Sequence, residues 1–313
     1  MLIRNHYKIT EQSYICPVCK SNTQDVEYVY TLNNNKTEIF RCQHCGFLFS
    51  RPVFIEKLQD RKMTSVDDAN FFNNTLLQNL YINLIIKKEI SKVRRILGSG
   101  RHSLIDIGCA TGWITNLWKE KGFEVMGLEP SVERGEIAKD KYGINISNSF
   151  IEDFETDKKF DVVLLRHILE HIENPYNTLE KISRLMSADG VLIVVVPNIN
   201  CIGRYIFDTR WSWILPYHCN FFSPDTVKTL LMRSGFEVMV SYQTISPLWY
   251  LESFLRLFKQ GSNLKNKFYK RLSSLSLVPF VPIVTAGYLL GRSDNITIIA
   301  RINGFKGRVS DPF

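Results

Sequence analysis

Three groups of residues in this sequence have the types and spacing that chemistry requires. The first is Cys16-Pro17-Val18-Cys19 with Cys42-Gln43-His44-Cys45, two C-x-x-C pairs. Two such knuckles bring four thiolates around one tetrahedral zinc and leave no position for water. A metal held by Cys16, Cys19, Cys42 and Cys45 is therefore structural. His44 lies inside a knuckle and is read as exposed rather than as a ligand. The second group is Leu104 to Gly112, a short apolar strand running into a glycine-bearing turn that opens a helix. Gly108 and Gly112 allow a close approach of backbone to a ligand. Glu129 ends the next strand about 20 residues further on, the offset at which nucleotide folds place a carboxylate on ribose hydroxyls. The third group is His167-Ile168-Leu169-Glu170-His171. At i, i+3 and i+4, its two histidines and glutamate share one side of a helical turn.

A dinucleotide site needs small residues at the first, third and sixth positions of its glycine turn. Here these are Gly108, Ala110 and Trp113, and the tryptophan would block helix–strand packing. The pattern is instead D-x-G-x-A-x-G from Asp106, which resembles motif I of the class I S-adenosylmethionine (SAM) methyltransferases. That resemblance implies that Asp106, Gly108, Ala110 and Gly112 cradle the methionine part of SAM and that Glu129 binds its ribose. Ala110 replaces the commoner glycine, which is tolerable at a negative φ. In the same family an acidic residue with an apolar neighbour meets adenine after the third strand, and Asp153 and Phe154 fit that place. The H-x-x-E-H string also matches a metalloprotease motif, but that motif sits in the middle of a long helix, whereas this one begins at a strand end. It resembles the substrate-facing turn of small-molecule methyltransferases, including the O-methyltransferases of ubiquinone biosynthesis, some of which hold a divalent ion there. His218, just before Phe222-Ser223-Pro224, resembles a recurrent histidine of the family. The order of candidates for a base is His167, His218, then His171, with a structural role at the strand–helix junction open for His171.

The elements that must position these groups follow from patterning. Val26–Tyr30 and Glu38–Arg41 read as ribbon strands around the Asn33-Asn34-Asn35 tip. A long helical segment, Asn70 to Leu97, carries Leu76, Leu77, Leu80, Tyr81, Leu84, Ile85 and Ile96 as its apolar face. Strands follow at 104–107, 123–128, 144–147, 160–165 and 191–196, the fourth too continuously apolar to be anything but central. Ser131, Asn174 and Ser223 start the intervening helices. A strand from Phe236 and a last strand at Asn295–Arg301 close the sheet as an antiparallel hairpin. The expected fold is α/β, a Rossmann-like seven-stranded class I methyltransferase sheet with an N-terminal zinc ribbon. Its expected parts are a ribbon over 1–52, a linker and helix over 53–100, and a methyltransferase domain over 101–313 with an insertion at 247–292. With two sites in separate domains, loss of the ribbon should leave SAM binding largely intact.

Composition narrows the partners. The chain has 313 residues, 45% of them hydrophobic, enough for a substantial core. Seven cysteines without a secretory signal fit a reducing, cytoplasmic setting, where thiols serve as metal ligands or stay free. Most of the net charge of +8 falls in 251–313, where Lys265, Lys267, Lys270 and Arg271 cluster. The ribbon itself is not basic, so nucleic acid is an unlikely partner and an RNA methyltransferase is the rival reading; a non-catalytic SAM-fold binding protein is the other. Residues 201–222 are rich in aromatics, which suits a substrate wall or a packed lid. Leu277–Leu290 is apolar but shorter than the ~20 residues that span a bilayer. The insertion can rest on a membrane surface, pack on the sheet, or meet a second subunit. The expected acceptor is a small molecule, a sugar or a lipid-linked sugar in cell-surface polysaccharide or secondary biosynthesis.

Overall fold

The computed structural model describes residues 2–32, 35–51, 76–215, 217–257 and 274–304. The linker at 53–68, the start of the long helix, the Asn33-Asn34 tip and the basic run 265–271 lie outside the described residues.

A seven-stranded sheet organises the chain. Its strands are β5 (Ser103–Ile107), β6 (Glu124–Leu128), β7 (Asn145–Ser147), β8 (Phe160–Arg166), β9 (Met186–Pro197), β11 (Phe236–Thr244) and β12 (Asn295–Ile302). They lie in the order β11-β12-β9-β8-β5-β6-β7. Pairing is parallel from β9 to β7 and antiparallel where β12 joins β9 and β11. The strand order reverses at β5, where β8 and β6 flank it, and ligands of open α/β sheets bind outside the strand ends at such a point. The expected antiparallel closing hairpin is present. Valines and leucines of β8 and β9 are buried on both faces, as a central parallel strand requires.

Helices α1 (Leu76–Leu97), α2 (Trp113–Lys119), α3 (Val132–Tyr142), α4 (Pro175–Leu185), α5 (Ile202–Phe207) and α6 (Pro224–Arg233) connect and cover these strands. The caps fall where the sequence placed them. Ser131 accepts from Arg134 N–H, Asn174 from Asn177 N–H, and Ser223 forms a reciprocal capping box with Thr226. The apolar face of α1 differs from expectation. Leu80 and Leu84 are exposed, and the buried stripe is Ile86, Ile90 and Val93 with Glu89 among them. The helix has apolar residues on more than one side, and the stripe that is buried is the one that packs on the sheet residues Leu104, Val162, Leu164 and Ile193.

The ribbon forms a second sheet. Strands β1 (Leu2–Ile15), β2 (Asn22–Leu32), β3 (Asn35–Arg41) and β4 (Leu48–Arg51) pair antiparallel in sequence order. A fifth strand, β10 (Asn220–Phe221), comes from the methyltransferase part and pairs with β4. The two parts also share one hydrophobic core, in which Phe47 of the ribbon meets Phe222 at 5.2 Å. A boundary at residue 52 therefore divides the sequence but not the sheet or the core. The aromatic and apolar residues after Cys45 are buried against one another and against Phe40 and Phe222.

The insertion between β11 and β12 holds α7 (Pro247–Leu257), a 3-10 turn over Ser274–Phe280 and α8 (Val281–Leu289). Tyr250, Leu251, Phe280 and Val284 pack with Phe207, Trp211 and Ile214 in a separate core over the carboxyl end of the sheet. Of the three fates open to this insertion, packing on the domain accounts for these residues. Among the described residues, no helix is long and apolar enough to cross a membrane.

Candidate active site

The first turn is built as its glycines demand. Gly108 has φ +75 and a Cβ there would fall 2.1 Å from Ile168 Cδ1; Gly112 has φ +76 and a Cβ would fall 2.6 Å from that of Ala138. Ala110 has φ +50, against the negative value its side chain would prefer. The turn's left-handed geometry is imposed by its neighbours, at a strain of roughly 1–2 kcal/mol for a non-glycine residue. Glu129 helps to hold the turn, beside the Gly108 and Cys109 N–H groups donated to Leu128 O. Its Oε2 accepts Ala110 N–H at 3.0 Å and its Oε1 accepts Ser131 N–H at 2.9 Å, tying the turns after β5 and β6 together. Each carboxylate oxygen keeps a further lone pair for a hydroxyl donor. Asp106 is buried beneath, accepting the Thr115 hydroxyl at 2.5 Å. Burial raises its pKa to about 6, opposed first by the Thr115 hydrogen bond. Asp153 is exposed on the turn after β7, whereas Phe154 is packed into the main core. Phe150, 47% exposed, is the open ring of that turn.

Sequence reasoning missed the ion pair behind this turn. Glu89 of α1 is fully buried, and Arg166 at the end of β8 donates to both its oxygens at 2.7 and 2.5 Å. The signal was present: a glutamate within the Ile86, Ile90, Val93 stripe needs a buried partner. Tyr81 of α1 donates its hydroxyl to the Ile245 carbonyl.

The second half of the site begins where β8 ends. His167 takes φ +55, donates its N–H to Val195 O, and is followed by a 3-10 turn over Leu169–His171. His167 Nδ1 lies 3.3 Å from Glu170 Oε1. Glu170 is 1% exposed, and burial opposes its ionisation, yet the His167 hydrogen bond prevails and holds its pKa below the usual carboxylate range. His218 reaches the same place from the 201–222 segment. Its ring meets His171 edge-on at 4.6 Å, and its Nδ1 donates to Trp213 O at 2.9 Å. Burial pushes His218 down to about 3 and also lowers His171, whose Nδ1 lies 3.3 Å from Tyr217 O. Both imidazoles are neutral at neutral pH, and the carbonyl bonds leave Nε2 as the lone-pair nitrogen. The three candidate histidines are thus brought together. His167 is the most open of them, its side chain 29% exposed against 2% for His218 as a whole.

The aromatic segment divides as its burial dictates. Phe207, Trp211, Phe221 and Phe222 are core. Trp213 stacks on His167 at 4.8 Å and packs against Trp249 of α7 at 4.3 Å, and Tyr217 stacks on His171 at 5.7 Å. Among the described residues, the rings stacked on His167 and His171 are Trp213 and Tyr217. Glu170, His171 and His218 each offer a ligand atom within 4.8 Å of the others, and Glu170 Oε2 is buried with no hydrogen-bond partner.

In the ribbon, all four cysteine sulfurs lie within 4.8 Å of one another, with Cys16 to Cys45 at 3.7 Å and Cys19 to Cys42 at 3.4 Å. Zn–S bonds of about 2.3 Å in a tetrahedron put sulfurs about 3.8 Å apart, so the donor set fits structural zinc. His44 is exposed, as expected.

A parallel sheet with an antiparallel closing hairpin, a glycine turn after its first strand and a carboxylate after its second define a class I SAM-dependent methyltransferase. The methyltransferase domain family model matches residues 81–241, and the chain belongs to that family. Among curated proteins it is similar to the ubiquinone biosynthesis O-methyltransferase of Rhodopseudomonas palustris (strain TIE-1), 29% identical over 102 residues, 31% of this chain and 40% of that protein. It is also similar to the enzyme of that name from Rickettsia canadensis, 22% identical over 183 residues, 55% of this chain and 76% of that one. The first of these matches spans well under half of the relative's length. Among solved structures, the plantazolicin methyltransferase BpumL in complex with SAH has the same fold at a TM-score of 0.52, with 16% identity over 79% of this chain and 93% of that one.

Proposed function

We propose that this chain methylates a hydroxyl oxygen of a small-molecule acceptor, with His167 as the base. Bound SAM supplies a methyl group on a positively charged sulfur and leaves as S-adenosylhomocysteine. Asp106, Gly108, Ala110 and Gly112 shape the turn for its methionine part, Glu129 accepts from its ribose hydroxyls, and Asp153 faces its adenine. His167 Nε2 takes the acceptor's proton as the oxygen bonds to the methyl carbon, while Glu170 at Nδ1 stabilises the resulting imidazolium. The observation that carries this reading is the His167–Glu170 pair, which brackets Ile168, whose side chain lies against Gly108. His218, buried, and His171, half-buried, are both neutral and line the acceptor side. Positioning of the acceptor by Trp213 and Tyr217 carries much of the rate.

The acceptor class that fits best is a sugar or a lipid-linked sugar, since aromatic faces bind the apolar faces of hydroxylated rings. Exposed Val278, Val281, Tyr288, Leu289 and Leu290 lie close in sequence to the basic run of the insertion and would suit contact with an anionic membrane. The test is labelled SAM added to fractionated host extract. Label entering the glycan and lipid-linked fraction with wild type, and not with His167→Gln, supports the reading. Label entering RNA would replace it with the rival. A second reading rests on the unpartnered Glu170 Oε2: a divalent ion held by Glu170, His171 and His218 would polarise the hydroxyl instead. A second metal per chain beyond the ribbon zinc, lost in His218→Gln, would favour it.

A further inference from the structure

The ribbon meets the methyltransferase domain at several places, among them Arg233 with Cys19 O and Arg204 with the Tyr28 hydroxyl, and one of these contacts is made to the backbone beside the histidines. Ser50 donates its N–H to Cys219 O and its hydroxyl to His218 O, both at 3.0 Å. Asn220 pairs with Phe49 and Phe221 with Leu48 across β4 and β10. From β10 the bonds continue into the 3-10 turn. Cys219 donates its N–H to Glu170 O at 2.8 Å, and Asn220 Nδ2 donates to Leu169 O at 3.1 Å and Ile172 O at 2.6 Å. At the other end, Cys42 N–H donates to Phe47 O and Gly46 N–H to Cys42 O, so the second metal knuckle sets where β4 starts. Among the described residues, no comparable chain of bonds runs from the ribbon to the glycine turn at 108–112.

We propose that the metal ribbon is the positioning element of the acceptor side: through Ser50 and the β4–β10 pair it fixes His218 and the turn that carries Glu170 and His171, and through Glu170 it orients His167. Ser50 is a positioning residue, because it acts on the histidines through backbone and touches no reacting atom. The inference rests on the proposed role of those histidines, but its structural half stands without it. A two-residue strand such as β10 holds only through its partners, since so short an element has few bonds of its own. Its partners are the ribbon on one edge and the turn on the other. Zinc would act here by closing the knuckle at Cys42 and Cys45, which presents Ser50 at a fixed register.

The test uses the full zinc-loaded chain, with SAH as the cofactor probe. Histidine ring signals are followed by NMR with carbon-13 at Cε1, assigned by single His→Gln variants. Ser50→Ala should shift the His218 and His171 signals and lower methyl transfer roughly threefold to tenfold, the effect of one lost hydrogen bond. Ser50→Thr, which keeps the hydroxyl, should restore both. SAH affinity by calorimetry should stay within about twofold. If Ser50→Ala proves too unstable, chelating zinc from wild type and following amide exchange gives the same information: residues 218–221 should open together with 47–51, and 104–112 should not. Histidine signals unmoved in Ser50→Ala, or exchange confined to the ribbon after chelation, would overturn the proposal. Signals that move with no change in transfer would keep the clamp and overturn the catalytic role of the histidines.

Discussion

The two halves of the site are made in opposite ways. The cofactor half is nearly continuous in sequence: Asp106, Gly108, Ala110, Gly112, Glu129 and Ser131 lie within one strand–helix–strand unit, and Glu129 closes it by accepting from two backbone N–H groups. The acceptor half is gathered from four distant segments, 47–51, 166–172, 211–221 and 249, joined by backbone hydrogen bonds and ring contacts. A local unit tolerates changes elsewhere in the chain; a gathered one depends on every contributor. The difference suits a family that keeps its cofactor and varies its acceptor.

The largest effect should come from the turn itself. Gly108→Val combines a left-handed φ with a side chain that would meet Ile168 at 2.1 Å from Cβ onward. SAH binding should be lost by calorimetry while zinc stays at one per chain. Retained binding would mean that the turn is not the cofactor cradle.

Next is Cys42→Ser, which should abolish zinc by elemental analysis. The sequence alone suggests that SAM binding survives because the ribbon is a separate domain. The shared core of Phe47 with Phe222 changes that expectation on the acceptor side. SAH affinity should fall only slightly, but the Trp213 fluorescence environment and methyl transfer should be lost together. Transfer surviving in a zinc-free variant would separate the halves completely.

These two variants mark where the sequence could and could not be read. The glycine turn, Glu129, the capped helices and the cysteine knuckles were legible because each depends on residues close in the chain. The H-x-x-E-H string was legible as chemistry, and its link to His218 was not, because nothing local requires residue 218 to return to residue 171. The pairing of β4 with β10 was equally hidden, since a two-residue strand carries no periodic signal. Ala110 misled in a different way: its residue type argued for negative φ, and the neighbouring Glu129 bond overrode it. For α1 the apolar pattern admitted two faces, and the partner sheet chose the one containing Glu89.

A smaller effect concerns pH. Asp294, at the start of β12, is fully buried, and burial raises its pKa from 3.8 to about 7 despite the Ser246 N–H donated to Oδ2 at 2.6 Å. Between these values the folded state binds this proton more tightly than the unfolded state. The group therefore costs no stability below about 4, and its cost grows as pH rises to about 7. Asp294→Asn, which keeps an acceptor for Ser246, should raise the melting temperature by a few degrees at pH 8 and leave it near wild type at pH 4.5. An equal shift at both pH values would show that Asp294 is ionised throughout.

The smallest is Ala110→Gly. Relief of the left-handed strain, roughly 1–2 kcal/mol, is partly offset by the roughly 0.5–1 kcal/mol that glycine loses on folding. Chemical denaturation should show a gain of about 0.5–1 kcal/mol with SAH affinity unchanged, and a net loss would place the strain elsewhere.

The central division is tested most directly by calorimetric SAH titration of wild type, Glu129→Ala and His167→Gln side by side. Charge-assisted hydrogen bonds to ribose are worth roughly 1.5–3 kcal/mol each, so Glu129→Ala should weaken SAH at least about tenfold. His167→Gln should bind SAH as wild type does while losing roughly a hundredfold or more in methyl transfer, the range of a general base. Equal SAH affinity in Glu129→Ala and wild type, or weakened affinity in His167→Gln, would contradict the assignment of one half to the cofactor and the other to the acceptor.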